Sequence, residues 1–198
     1  INEKGELDKN VNLQDLKTGH LVYMGPVDPP VTGGVSNTFR YKNLSLNVFV
    51  TYQAGNKIRL TPAFKTAYSD LDAMPKEFYN RWAMPGEETK TVIPSILDVF
   101  EQSLIWGSYP YNNYNYSTER VASGDFVRLK TVSLTYTLPA AKAKWIGFNS
   151  LSFTGAAINP WLIYADKKLQ GQDPEFFNAG GVAQPIQKQF TFSIKAGL

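Results

Sequence analysis

Residues 189–198, QFTFSIKAGL, alternate without a fault: Phe190, Phe192, Ile194, Ala196 and Leu198 fall on one face, and Gln189, Thr191, Ser193, Lys195 and Gly197 on the other. A helix would mix these two sets around its circumference, whereas a strand separates them, because its side chains alternate with period two. The length of the run also matches the roughly 9–11 residues with which a tilted strand crosses the hydrocarbon layer of a membrane. The segment is therefore read as β-structure with one oily and one wet face, in a membrane wall or at the edge of a soluble sheet.

The pattern recurs. Leu44, Leu46, Val48, Val50 and Tyr52 form an apolar face, while Ser45, Asn47, Phe49, Thr51 and Gln53 form a polar one broken by Phe49. Just upstream, Val35, Phe39 and Tyr41 alternate with Ser36, Thr38 and Arg40. With Lys42 and Asn43 between them, the two runs predict strands over 35–41 and 44–54 joined in a tight hairpin. A further strand is predicted over 124–138, where Val132, Leu134, Tyr136 and Leu138 oppose Thr131, Ser133, Thr135 and Thr137. Its upstream half conflicts with this, since Phe126 would share a face with Arg128 and Lys130, which requires a bulge or an extension beyond the lipid. Over 150–164, Leu151 and Phe153 alternate with Ser152 and Thr154, but Pro160 cannot donate to a ladder and implies a bulge or an edge. The last strand is predicted over 187–198.

Average composition would suggest an ordinary soluble protein: 43% of the 198 residues are hydrophobic and the mean hydropathy is −0.27. Averages mislead for barrels. No run approaches the ~18–20 apolar residues of a membrane helix, but a barrel strand needs only one oily face. The formal charge of +3 comes from scattered residues, so neither a nucleic-acid patch nor a polybasic anchor is indicated. Cysteine is absent, which excludes disulfides, thiolate metal sites and cysteine nucleophiles. The sequence begins at Ile1 without a charged and apolar leader, and is expected to be a piece of something longer.

Connection lengths give a check that does not depend on hydrophobicity. The predicted strands are joined by a short turn at Lys42 and Asn43, a long stretch over 55–123, a short turn over 139–149 and a long loop over 165–186. Short and long alternate, as they must in an outer-membrane barrel with short periplasmic turns and long external loops. Five strands cannot close such a barrel, which takes at least about eight. Within the first long loop, Pro94 opens a stretch in which Ile96, Leu97, Phe100 and Leu104 recur at helical spacing. In the second short turn, Trp145 suits a boundary between water and lipid.

Catalytic chemistry is poorly represented. The lone histidine, His20, lies in a polar leader and reads as a solvated residue. Asp173 and Glu175 flank Pro174 and invite comparison with a glycosidase pair, but a charged turn with Asp before Pro is the simpler reading. No catalytic residue, metal or cofactor is expected. The aromatic residues Trp82, Trp106, Tyr109, Tyr111, Tyr114 and Tyr116 cluster in the first long loop. They suit contact with sugars or peptides, and equally well serve as glue or as contacts to a partner. Arg40 and Asn47 are candidates for a wet lumen. Leu44, Leu46, Val48, Val50, Phe190, Phe192, Ile194 and Leu198 are candidates for contact with lipid, the last four within a terminal assembly signal.

Four runs resemble a known family: TGGVSNTFRYKNLSL (residues 32–46), FYNRW (78–82), STERVASGDFVRLKTVSLTYTLP (117–139) and QDPEFFNAGGVAQPIQKQFTFSIK (172–195). They resemble the C-terminal part of SusC/RagA-type TonB-dependent outer-membrane transporters, from Leu21 onward. The resemblance implies a plugged barrel of about 22 strands, a SusD-like surface lipoprotein as an extracellular lid, and energy delivered through the TonB complex. It also implies a periplasmic C-terminus and no enzymatic activity. One departure is Leu198, where such barrels commonly end in an aromatic residue. The expectation is thus an all-β chain, the C-terminal strands of a large antiparallel transmembrane β-barrel domain with long extracellular loops, importing oligosaccharide or oligopeptide. The alternative is a secreted or surface-exposed β-sandwich that binds glycan through its aromatic loop.

Overall fold

The computed structural model describes residues 16–62, 76–98, 100, 110–177 and 187–197. Seven strands occur among them: β1 (Val31–Tyr41), β2 (Leu44–Ala54), β3 (Lys57–Arg59), β4 (Val121–Ser123), β5 (Phe126–Thr137), β6 (Ser150–Ala165) and β7 (Gln189–Gly197). Two short helices accompany them, α1 (Pro110–Tyr116) and α2 (Ala140–Trp145). The chain divides into two compact units, Ile1–Met24 with Arg59–Ala122, and Gly25–Ile58 with Ser123–Leu198.

The second unit holds a five-stranded antiparallel sheet in the order β1-β2-β5-β6-β7. Opposed residues in an antiparallel sheet share a face, so the register sorts every side chain. One face carries Phe39, Leu46, Leu134, Gly155 and Phe192 in one row and Asn37, Val48, Val132, Ala157 and Phe190 in the next, with Asn37 its one polar member. The other carries Thr38, Asn47, Ser133, Ala156 and Thr191. Side-chain bonds on this second face join neighbouring strands: Asn47 Nδ2 donates to Thr38 Oγ1 at 2.9 Å, and the hydroxyls of Thr135 and Thr154 lie 3.0 Å apart.

The oily face is open. Phe190, Phe192 and Ile194 are 76%, 70% and 60% exposed, and Val35, Phe39, Leu134 and Trp161 are exposed as well. A sandwich would cover this face with a second sheet; among the described residues no such sheet exists.

The conflict in β5 is resolved by a bulge. Phe49 pairs with Thr131 and the next residue, Val50, pairs with Leu129, so Lys130 is an extra residue on β5. The bulge reverses the parity of the sequence, putting Val127 and Leu129 on the oily face with Val132 and Leu134, and Phe126 and Arg128 on the polar face with Thr131 and Ser133. On β6, Ile158 pairs with Thr131 and Trp161 with Leu129, leaving Asn159 and Pro160 as the irregular step. Asn159 takes φ +50° there, so the missing N–H of Pro160 falls where the ladder is already broken. Phe49, the apolar intruder on the polar face of β2, lies over Gly34: a Cβ at Gly34 would sit 2.8 Å from its ring. Tyr52 covers Gly33 on the oily face in the same way, at 2.6 Å. Both aromatics fill the space of a side chain that the neighbouring strand lacks.

The short connections gather at one end of the sheet. Lys42 begins the β1–β2 turn at φ +51°, the left-handed value that two-residue hairpin turns need at that position. Asn43 then bonds to Thr137 in both directions, each at 2.9 Å, and Asn149 N donates to Gly197 O at 2.8 Å. At the opposite end, Gly55 N donates to Asp125 Oδ1 at 2.6 Å, and buried Asn56 accepts from Gln53 Nε2 at 3.1 Å and from Gly124 N at 3.0 Å. β3 and β4 pair in a separate two-stranded ribbon. Residues 94–98, where a helix is expected to open after Pro94, are not helical, and residues 99 and 101–109 of that stretch lie outside the described residues.

Candidate functional site

The polar face of the second unit bears a buried cation. Arg128 is 4% exposed, although its strand neighbours on that face, Thr51 and Phe126, offer it no negative charge. Its partner comes from the turn after β6. Arg128 Nη2 donates to Asp173 Oδ1, and Nε stands 3.3 Å from Glu175 Oε2, close enough for charge attraction without a hydrogen bond. Lys130, on the bulge, reaches Glu175 Oε1 at 3.4 Å. Asp173 also accepts from Glu175 N at 3.1 Å, an Asx-type turn that fixes both carboxylates. These are the two carboxylates whose spacing invites the glycosidase comparison; both are committed to cations and fasten a loop to the sheet.

Asp166 anchors the start of the same loop. It accepts from Lys168 N at 2.9 Å and from Ser123 N at 2.7 Å. Burial pushes its pKa up, but the two backbone hydrogen bonds, with the charges of Lys168 and Lys57, outweigh this and hold it below the usual carboxylate range.

The first unit has its own buried cation. Arg120 is 3% exposed, donates to Glu77 Oε1 and to the carbonyl of Thr61, and lies over the Tyr114 ring at 5.4 Å. Burial raises the pKa of the Tyr114 hydroxyl, against the opposing pull of Arg120. Tyr111 accepts from Leu97 N at 2.7 Å and donates to the carbonyl of Ser95. Two of the singled-out tyrosines thus tie loop segments together. Trp82 and Tyr116 keep exposed faces, with Arg59 lying 5.6 Å over the Tyr116 ring and the Trp82 indole donating to Met84 O. Trp106, Tyr109 and Leu198 lie outside the described residues. Glu87, which accepts from the backbone of Ala83 and Met84 at 2.9 and 3.0 Å, has a lowered pKa through those two bonds. His20 is exposed in a 3-10 turn.

Arg40 and Asn47 lie on the polar face, and Leu44, Leu46, Val48, Val50, Phe190, Phe192 and Ile194 share the oily one. The pairing of Arg128 with Asp173 is not visible in the sequence, where the two lie 45 positions apart. The available signal is an arginine placed inside a strand. Among the described residues there is no cluster of metal-ligating side chains, and no helix is long and apolar enough to cross a membrane, which leaves strand crossings untouched.

A sheet with one face largely apolar and open, the other largely polar, and all short turns at one end has the construction of the wall of a transmembrane β-barrel. Comparison with known proteins points the same way. No family model matches the chain. Two curated proteins of Formosa agariphila are similar: TonB-dependent receptor P39, 27% identical over 165 residues, and TonB-dependent receptor P3, 24% identical over 161 residues. These matches take in 77% and 81% of the chain but 14% of each relative. Among solved structures, the RagAB peptide transporter matches 88% of the chain and 18% of its own at TM-score 0.62 and 26% identity. The RagAB importer in its 'open-open' state matches 87% and 17% at TM-score 0.60 and 25% identity. In sequence and fold the chain resembles one segment of the SusC/RagA type of TonB-dependent outer-membrane transporter.

Proposed function

We propose that the chain supplies five strands to the wall of a barrel of about 22 strands that imports oligopeptide or oligosaccharide across a bacterial outer membrane, driven through TonB. The plug, the TonB-contacting segment and the other strands belong to parts of the protein outside this chain, which spans 14% to 18% of the proteins it resembles. A SusD-like surface lipoprotein is the partner at the long-loop end, and the short turns and C-terminus face the periplasm. The role is passage rather than catalysis, with the polar face lining the lumen and Trp82 and Tyr116 available to cargo or lid.

The observation that carries this reading is the open oily face, continuous across all five strands. In water it would be a large aggregation-prone patch; in a membrane it is the required surface. The test is uptake of isotopically labelled oligopeptide and oligosaccharide pools by cells carrying the full-length protein, cells lacking it, and cells lacking TonB. Uptake of one pool that disappears in both deletion strains supports the proposal and names the cargo class. Uptake of both pools that is unchanged by either deletion refutes it.

A further inference from the structure

The short-turn end of the sheet is chemically unlike the long-loop end. Trp145, at the end of α2, is 87% exposed, and Ile146 beside it is exposed too. Successive helical residues turn by about 100°. Ala143 is fully buried and so marks the inner side of α2. Trp145 then lies about 200° round from Ala143, pointing away from the protein, with Lys142 and Lys144 about 100° to either side of Ala143. The outer surface of α2 is therefore an indole flanked by two ammonium groups. The neighbouring turn, tied to the end of β5 through Asn43 and Thr137, adds Lys42, whose Nζ stands 5.3 Å over the Tyr41 ring.

Among the described residues no acidic side chain is paired with these charges. Residues 138–149 and the Lys42–Asn43 turn contain no Asp or Glu. The long-loop end differs, carrying both signs in Asp125, Asp166, Lys167, Lys168, Asp173 and Glu175. The cationic rim is also continuous with the oily face through Tyr41 and Tyr136, both exposed on it.

We propose that this rim is a seat for anionic glycerophospholipid, with Lys42, Lys142 and Lys144 on headgroup phosphates and Trp145 at the junction of headgroup and acyl chain. The inference rests on the membrane-wall reading given under Proposed function. An aromatic ring with a polar N–H is stable at that junction, and lysines extend from an apolar surface to place their charge among phosphates. Three unpaired cations then favour a net negative headgroup over a zwitterionic one, by about five-fold for each lysine.

The test uses the full-length transporter reconstituted in vesicles whose phospholipids are brominated near the top of the acyl chains. Subtracting the fluorescence of a Trp145→Phe variant isolates the Trp145 signal. Brominated phosphatidylglycerol, diluted into a zwitterionic bilayer, is expected to quench that signal at a several-fold lower mole fraction than brominated phosphatidylcholine. The Lys42→Gln/Lys142→Gln/Lys144→Gln variant should lose the preference but keep the quenching; if it does not insert, each single variant should lose about a five-fold share. Equal quenching by both lipids in the unaltered protein overturns the headgroup seat while leaving the membrane wall intact. Absence of quenching in protein that co-floats with vesicles does the same. Failure of the protein to co-float with vesicles at all overturns the membrane reading along with the seat.

Discussion

Arginine placed in turn at Phe190, Phe192 and Ile194 in the full-length protein should report the depth of each residue in the membrane. A strand rises about 3.3 Å per residue and barrel strands tilt by roughly 40°, so each residue gains about 2.5 Å of depth. Gly197 marks the short-turn end of β7, where Asn149 bonds to it. Measured from there, Ile194, Phe192 and Phe190 lie roughly 8, 13 and 18 Å up the wall. The apolar band of such a barrel is about 25 Å tall, so Phe192 falls near its middle. Phe192→Arg should cost ~2–4 kcal/mol and the two flanking substitutions about half as much, whereas Ser193→Arg, on the wet face, should cost almost nothing.

Phe192 also has its ring 6.5 Å from that of Phe153, an arrangement that contributes about 0.5–1.5 kcal/mol. Phe192→Ala therefore separates the lost ring contact from the buried charge. The assay is the folded, heat-modifiable fraction in isolated outer membranes, followed by urea midpoints after reconstitution. A flat profile along β7, or equal damage from Ser193→Arg and Phe192→Arg, would falsify the assignment of lipid and lumen faces.

Arg128→Met should leave the half-buried Asp173 without its cation, at a cost of up to about 3 kcal/mol to the docked loop. It is checked by faster amide exchange over residues 166–177, and Arg128→Met combined with Asp173→Leu should restore part of the protection. Gly124→Ala should push the Asn56 side chain out of its buried position and destabilise the long-loop end by about 1–3 kcal/mol, read as a lower urea midpoint. Asp166 has a depressed pKa, so the stability it contributes is complete above the ordinary aspartate value near 3.9 and is lost as pH falls through its lower folded value. Proteolysis of the 166–177 loop should rise across that acid window in the native protein, and Asp166→Asn should be cut as readily at neutral pH; a variant that is protected at neutral pH contradicts the anchor.

The parts of the fold that repeat along the sequence are legible there. The terminal run and the Leu44–Tyr52 run appear as β7 and β2 because a strand with one face in oil and one in water must alternate, and nothing else in a chain imposes period two. The turn at Lys42 and Asn43 follows from the gap between two such runs. What escapes is either too short or too distant. A three-residue strand such as β3 has no period to detect, and YPYNNYNY gives no helical spacing for α1, whose tyrosines are held by partners such as Ser95 and Arg120 rather than by an amphipathic stripe. The Arg128–Asp173 clamp is a tertiary fact. Each residue alone reads as an ordinary charge, and only the return of the chain after β6 makes them a pair.

The bulge in β5 stands between these cases, because the sequence demands an irregularity and the structure decides where it falls. Phe126 and Arg128 occupy even positions, as do Val132, Leu134 and Tyr136, yet the first pair lies on the polar face and the others on the oily one. One extra residue reconciles them, and it is Lys130. Removing Lys130 would close the step between Leu129 and Thr131 while leaving every other side chain of β5 on its present face: Leu129 outward, Thr131 inward, Arg128 still toward Asp173. The deletion should therefore assemble in the outer membrane, losing the 3.4 Å contact to Glu175 and little else of the wall. An additional residue inserted beside Lys130 also keeps Arg128 inward, because two residues between Leu129 and Thr131 restore regular alternation, but residues 126–129 must then slip two places along β2 or leave two residues unpaired against it. The insertion should therefore lower outer-membrane abundance more than the deletion, through lost β2–β5 pairing, and comparable abundance for the two would show that β5 slides freely in register along β2.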